Sequence, residues 1–319
     1  MDFKEFEEAL IEIIKERVGD NTKISIHIVS KNNGIKLTGL VIMNAEENVS
    51  PTIYLEPFFE MACKGKNLGD IAEEILVLCS EQKEQFNFDI KEFQNISVTG
   101  KKILYKLINY DKNKELLEQI PHRRWMDLAI VYYVLVSCDE LGSGTILVKN
   151  EHMMLWKISE EELYTYASKN TPFIMKKTLK SMTDVIMDFM EDNVADSAAG
   201  AESAQTSEKM KNTIAAQELD DNAPIRMYVM GNQMKLNGAC TVLYKNTLAE
   251  FAKSVDMDFY ILPSSIHEVI LVPADRDVDE AALLSLVREV NENNVTEEEW
   301  LSNNIYRYFR DENEVKLIS

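Results

Sequence analysis

Nine consecutive apolar residues, Leu128–Val136, form the longest such run in the chain. That is about half of what a membrane-spanning helix needs. Ile130, Val131, Tyr132, Tyr133 and Val134 are β-branched or aromatic and favour an extended strand. A strand that is apolar on both faces belongs at the centre of a sheet whose two faces are both covered. Residues 126–136 are therefore predicted to be a central buried strand, and Thr145–Val148 to pair with it across the 139–144 turn.

The other strand signals also come as hairpin pairs. Ile24, Ile26 and Ile28 alternate with polar residues, and Asn33-Gly34 leads into Ile35–Met43. Phe259–Leu262 is predicted to pair with Val269–Val272, Ile305–Phe309 with Val315–Ile318, and Met227–Met230 with Gln233–Leu236 around a Gly231-Asn232 turn. Between the hairpins lie helical patterns with capping boxes: Asp2 with Glu5, Ser159 with Glu162, Asp277 with Glu280, and Thr296 with Glu299. Further helices are predicted from Asp70, over Lys114–Ile120 and over Lys176–Met190, with Thr171-Pro172 ending the one before it. No βαβ series with glycine-rich turns is visible, so the expected class is α+β: mixed or antiparallel sheets built from hairpins, with helices on one face.

A length of 319 residues suggests about two domains. Residues 191–222 lose their aromatics and apolar periodicity, which predicts a linker or insertion between an N-terminal region, 1–190, and a C-terminal one, 223–319. With 54 acidic against 34 basic residues the net charge is −20, which disfavours nucleic acid and anionic membranes and favours a basic protein partner. The first residues lack the basic and apolar regions of a signal peptide, and the four cysteines form no CxxC pair. A cytoplasmic location is expected.

Motifs for chemistry are sparse. Gly100-Lys101-Lys102 lacks the remainder of a phosphate loop, and Gly142-Ser143-Gly144 sits in a predicted hairpin, so no cofactor is expected. His27, His122, His152 and His267 are not paired at metal-ligand spacing, so no metal is expected. The catalytic candidates are Ser264, Ser265 and His267, in a loop between two apolar strands. There an imidazole could activate a hydroxyl, with Glu268 or Asp258 as orienter. The ligand-binding candidates are His122, Arg123, Arg124 and Trp125, a cationic cluster in an acidic chain, suited to an anion or to stacking. Both sets also have plain structural readings, as a tight turn and as intramolecular ion pairs with a core anchor.

Several stretches resemble the domain-of-unknown-function family numbered 5688. They are 107–117, Pro121-His122, 127–133, 146–152 with Trp156, 160–164, Asn170-Thr171-Pro172 and 260–269. The resemblance implies a protein like those of anaerobic Gram-positive gut bacteria, and it implies no activity, cofactor or catalytic residue. The favoured expectation is a non-catalytic cytoplasmic binding protein. Its alternatives are a hydrolase using the Ser264–His267 loop and, more weakly, an acidic mimic of DNA.

Overall fold

The computed structural model describes residues 1–19, 21–44, 50–85, 89–139, 142–195, 226–263, 265–275 and 278–319. Of the expected linker 191–222, residues 191–195 are the end of a helix, and the remainder, like the expected cap Asp277, lies outside the described residues. The described chain divides into two compact units. One comprises Met1–Leu104, Lys112–Pro121 and Tyr132–Tyr166; the other comprises Tyr105–Asp111, His122–Val131 and Ala167–Ser319. The class is α+β, with three antiparallel sheets among the described residues.

In the first unit α1 (Phe3–Arg17) opens on the expected capping box. Asp2 Oδ1 accepts from Glu5 N at 2.9 Å, and Glu5 Oε2 accepts from Asp2 N at 3.0 Å. Phe6, Leu10 and Ile14 recur on its buried face. β1 (Thr22–Ser30) and β2 (Lys36–Asn44) pair without a bulge from Thr22↔Asn44 to Ser30↔Lys36. Their connection uses positive φ at Asn33 and Gly34, and Asn113 holds it by accepting from Asn33 N at 2.8 Å. β3 (Thr52–Tyr54) pairs with β2, followed by α2 (Glu56–Cys63) and α3 (Leu68–Gln85). Leu40, Ile42, Ile53, Phe58, Ile71 and Ile75 complete one apolar cluster with α1. The short helices α4 (Ile90–Gln94) and α5 (Ile96–Thr99) come next.

β4 (Ile103–Asn109), β5 (His122–Trp125), β6 (Leu128–Asp139) and β7 (Gly142–Leu147) form a second sheet in the order β4-β6-β5, with β7 also on β6. Leu128–Val134 are all at most 3% exposed, so the long apolar run is the central strand that its composition predicts. α6 (Lys114–Leu117) lies between β4 and β5, and α7 (Asn150–Trp156) and α8 (Glu160–Ile174) follow β7. α8 starts on the expected Ser159–Glu162 box. It does not stop at Pro172. The helix ladder resumes beyond the proline, where Met175 N donates to Thr171 O at 2.8 Å, and Thr171 Oγ1 donates back to Ala167 O at 2.7 Å.

The helix predicted over 176–190 is instead β8 (Lys177–Ser181) followed by α9 (Met182–Ala195). Ser181 and Asp184 form the box that separates them, with Asp184 N donating to Ser181 Oγ at 3.0 Å. β8 is an edge of the six-stranded sheet β13-β12-β10-β11-β9-β8, made with β9 (Tyr228–Asn232), β10 (Phe259–Leu262), β11 (Val269–Pro273), β12 (Ile305–Phe309) and β13 (Glu314–Ile318). α10 (Thr247–Val255) precedes β10, and α11 (Glu280–Asn293) lies on the sheet. Its Leu283 and Val287 pack with Tyr260, Leu262, Val272 and Ile305. The β10–β11 and β12–β13 hairpins are as predicted.

The hairpin around Gly231-Asn232 is not. Both residues belong to β9, paired with Thr178 and Lys177. The turn comes afterwards because the Asn232 side chain organises it: Oδ1 accepts from Met234 N at 3.0 Å, and Nδ2 donates to Leu236 O at 2.7 Å. Near Trp300, the Thr296–Glu299 box is present but closes a turn rather than opening a helix.

Candidate functional site

The loop between β10 and β11 carries the catalytic candidates. Ser264 lies outside the described residues. Ile266 anchors the loop: its N donates to Glu299 O at 2.9 Å, and its carbonyl accepts from Ala239 N at 3.1 Å. The neighbouring Gly238 admits no side chain, because a Cβ there would stand 2.3 Å from His267 O and 2.9 Å from Asn232 N. The loop is thus clamped between the end of β9 and the turn that holds Glu299.

Ser265 and His267 are brought together, but by the backbone. Ser265 Oγ accepts from His267 N at 3.0 Å, which forms a two-residue serine turn. The imidazole looks elsewhere. Nδ1 accepts from Asn237 N at 3.2 Å, and Nε2 stands 3.5 Å from Glu299 Oε1. A ring whose Nδ1 accepts a backbone N–H carries its neutral-form proton on Nε2, aimed at the carboxylate. The acid beside His267 is Glu299, not Glu268 or Asp258. Glu268 is exposed, while Asp258 accepts from Arg307 Nη2 at 3.1 Å and from Arg310 N at 2.9 Å. Glu299 is itself held through Oε2, which accepts from Thr296 Oγ1 at 3.0 Å.

The cationic segment is β5. Its two-residue turn into β6, Met126-Asp127, takes positive φ at Met126. His122 and Arg124 both meet Tyr110: the ring centroids of His122 and Tyr110 are 6.1 Å apart, and the Arg124 guanidinium lies 4.4 Å from the tyrosine ring. Arg124 Nε also donates to Met126 O at 2.9 Å. Arg123 is half-buried opposite Ile130, and the Trp125 ring packs 5.4 Å from that of Tyr306.

Sequence reasoning missed a dense polar cluster of the second unit, at Asp127. Its Oδ1 accepts from Tyr306 OH at 2.7 Å; its Oδ2 accepts from Ser302 Oγ at 2.6 Å and Asn304 Nδ2 at 3.0 Å. Burial, and then the Asp127 charge, hold the Tyr306 phenol well above the ordinary tyrosine range. These partners are more than 170 positions apart, so no spacing signal could reveal them.

Elsewhere, His27 Nε2 lies 3.0 Å from Ser25 Oγ, and His152 Nδ1 accepts from Lys149 N at 3.1 Å as a helix cap. Burial lowers the pKa of His152 and pushes the Cys240 thiol up to about 12, which leaves that thiol without nucleophilic character at neutral pH. Among the described residues, no three His, Cys, Asp or Glu side chains converge as metal ligands. Among them also, no helix is long and apolar enough to cross a membrane. A hollow of about 30 Å³ lined by Phe93, Thr99, Lys102 and Leu135 has room for a water molecule, far short of the 300 Å³ or so of a small-ligand pocket.

Fold and clusters together define an α+β protein whose polar side chains tie its own loops down. The chain belongs to the family of unknown function numbered 5688, whose sequence model matches residues 3–310. No curated protein and no solved structure matches it.

Proposed function

We propose that this chain is a non-catalytic cytoplasmic bacterial protein that binds a basic protein partner through its acidic surface, and that it takes neither nucleic acid nor membrane. The observation that carries the reading is the occupation of His267. A general base needs a ring nitrogen facing the hydroxyl it activates. Here one nitrogen accepts from Asn237 N, the other faces Glu299, and Ser265 Oγ serves a backbone N–H. Arg124, set on Tyr110 and Met126 O, serves the chain in the same way. The net charge of −20 supports the choice of a basic partner.

The test has two arms. Wild type, Ser265→Ala and His267→Ala are assayed on nitrophenyl esters, phosphoesters and peptides. Binding of a lysine-rich peptide to the full chain is titrated calorimetrically at low and high salt. Expected are no turnover above the buffer blank, and binding that weakens as salt rises. Turnover abolished in both variants would install the hydrolase reading instead. Failure to bind the basic peptide at low salt would remove the proposed partner chemistry.

A further inference from the structure

We infer that β1 is a self-association edge, on which β1 of a second copy adds antiparallel to join two three-stranded sheets into one of six strands. β1 closes its sheet on one side: the order is β1-β2-β3, and among the described residues β1 pairs with β2 alone. Its outward N–H and C=O groups are a template for another strand. Natural edges are blunted by bulges, prolines, charges or shortness. β1 runs nine residues without a register shift and has no proline, and its single charge, Lys23, is near one end. Three other sheet edges differ. β3 has three residues; β8 carries Lys177 and Lys180 in ion pairs with Glu250 and Asp188; β13 carries Lys316 paired with Glu312.

Two observations favour a second copy as the occupant. The first is charge. Residues 22–44 contain no Asp or Glu and three lysines, in a chain of net charge −20, so this edge lets two such chains meet without apposing carboxylates. The second is self-complementarity about Ile26. Antiparallel pairing on that centre sets Ile24 against Ile28 of the second copy and Ser25 against its His27. Ile24 and Ile26 already pack on the core, while Ile28 is 64% exposed and would gain cover. The two Lys23 side chains would be six residues apart along the pair, about 20 Å, beyond the screening length of about 8–10 Å. One strand pair makes a small interface, so the dimer should be weak, dissociating in about the micromolar to tens of micromolar range.

The experiment is sedimentation equilibrium of the full chain over a wide concentration range, with hydrogen exchange of the β1 amides at both ends of it. Expected are a monomer–dimer equilibrium and β1 amides that lose protection on dilution. Ile28→Lys should weaken the dimer at least tenfold without moving the thermal midpoint. If that variant fails to fold, His27→Glu, at another exposed position, should do the same by placing a carboxylate against Ser25. A chain that stays monomeric at the highest concentration, a dimer insensitive to the variant that folds, or β1 exchange indifferent to dilution would each overturn the inference.

Discussion

Replacing Tyr306 by Phe tests how the Asp127 cluster holds the second unit. The tyrosine is 1% exposed, and its hydroxyl donates to Asp127 Oδ1 at 2.7 Å. Tyr306→Phe leaves Asp127 Oδ2 with Ser302 and Asn304, so the carboxylate keeps two of its three partners. A hydrogen bond to a charged group is worth about 1.5–3 kcal/mol. Asp127 is only half-buried and can recruit water, which puts the loss near the low end, at about 1.5 kcal/mol at neutral pH. At alkaline pH the comparison changes sign. Burial and the Asp127 charge raise the folded pKa of Tyr306 well above its unfolded value. That stability is therefore fully present below about pH 10 and is lost as pH climbs toward the folded pKa, at about 1.4 kcal/mol per pH unit. The phenylalanine variant has no such slope from this site, so the gap between the two proteins closes and their stability curves cross near pH 11. Urea unfolding followed by tryptophan fluorescence at a series of pH values measures both quantities. A gap that stays constant between pH 9 and 11 would refute the claim that the folded phenol keeps its proton. No gap at pH 7 would refute the value given to the hydrogen bond.

Gly238→Ala places a Cβ against the backbone of His267 and Asn232, which cannot rotate away, and should cost about 2–3 kcal/mol. The readout is a lower urea midpoint at unchanged slope, and a wild-type midpoint would show that the close approach relaxes freely. Cys240, its thiol raised to about 12 by burial, should resist a thiol reagent in the native protein while exposed Cys63 reacts, and peptide mapping after denaturation should find both modified.

Where apolar period and capping residues agreed, the sequence was a sufficient guide, because those signals are local. The run 128–136, the α1 box and the β12–β13 hairpin are all of this kind. The failures are cases where a side chain redirected the backbone. Gly231-Asn232 has the composition of a turn, but Asn232 sends its amide forward to build the turn after itself, and Gly231 stays in the strand beneath His267 O. Lys176–Met190 contains its own correction, since Ser181 and Asp184 are a capping pair that marks a helix start. Its first residues then become a strand by pairing with β9, a partner some fifty positions away. Pro172 reads as a stop, yet α8 runs two residues past it, to Ile174, with Met175 N donating to Thr171 O.

The loop that carries the candidates was legible in the sequence but the neighbours of His267 were not, and the reason lies in what holds Glu299. The segment just after it is tied from three directions. Asn109 Nδ2 donates to Leu301 O at 3.0 Å, Asn291 Nδ2 to Ser302 O at 2.8 Å, and Asp127 accepts from Ser302 and Asn304. Asn303 Oδ1 takes bonds from Asn291 and Trp300 besides. Each tether comes from a different part of the chain: the end of β4, the interior of α11, and the β5–β6 turn. Fixing residues 300–304 fixes Glu299 against Ile266 and His267. The imidazole accepts a backbone N–H on one nitrogen and faces a tethered carboxylate with the other. Which way the ring nitrogens face is set by Asn237 and by the tethered Glu299, residues that no local motif around His267 contains.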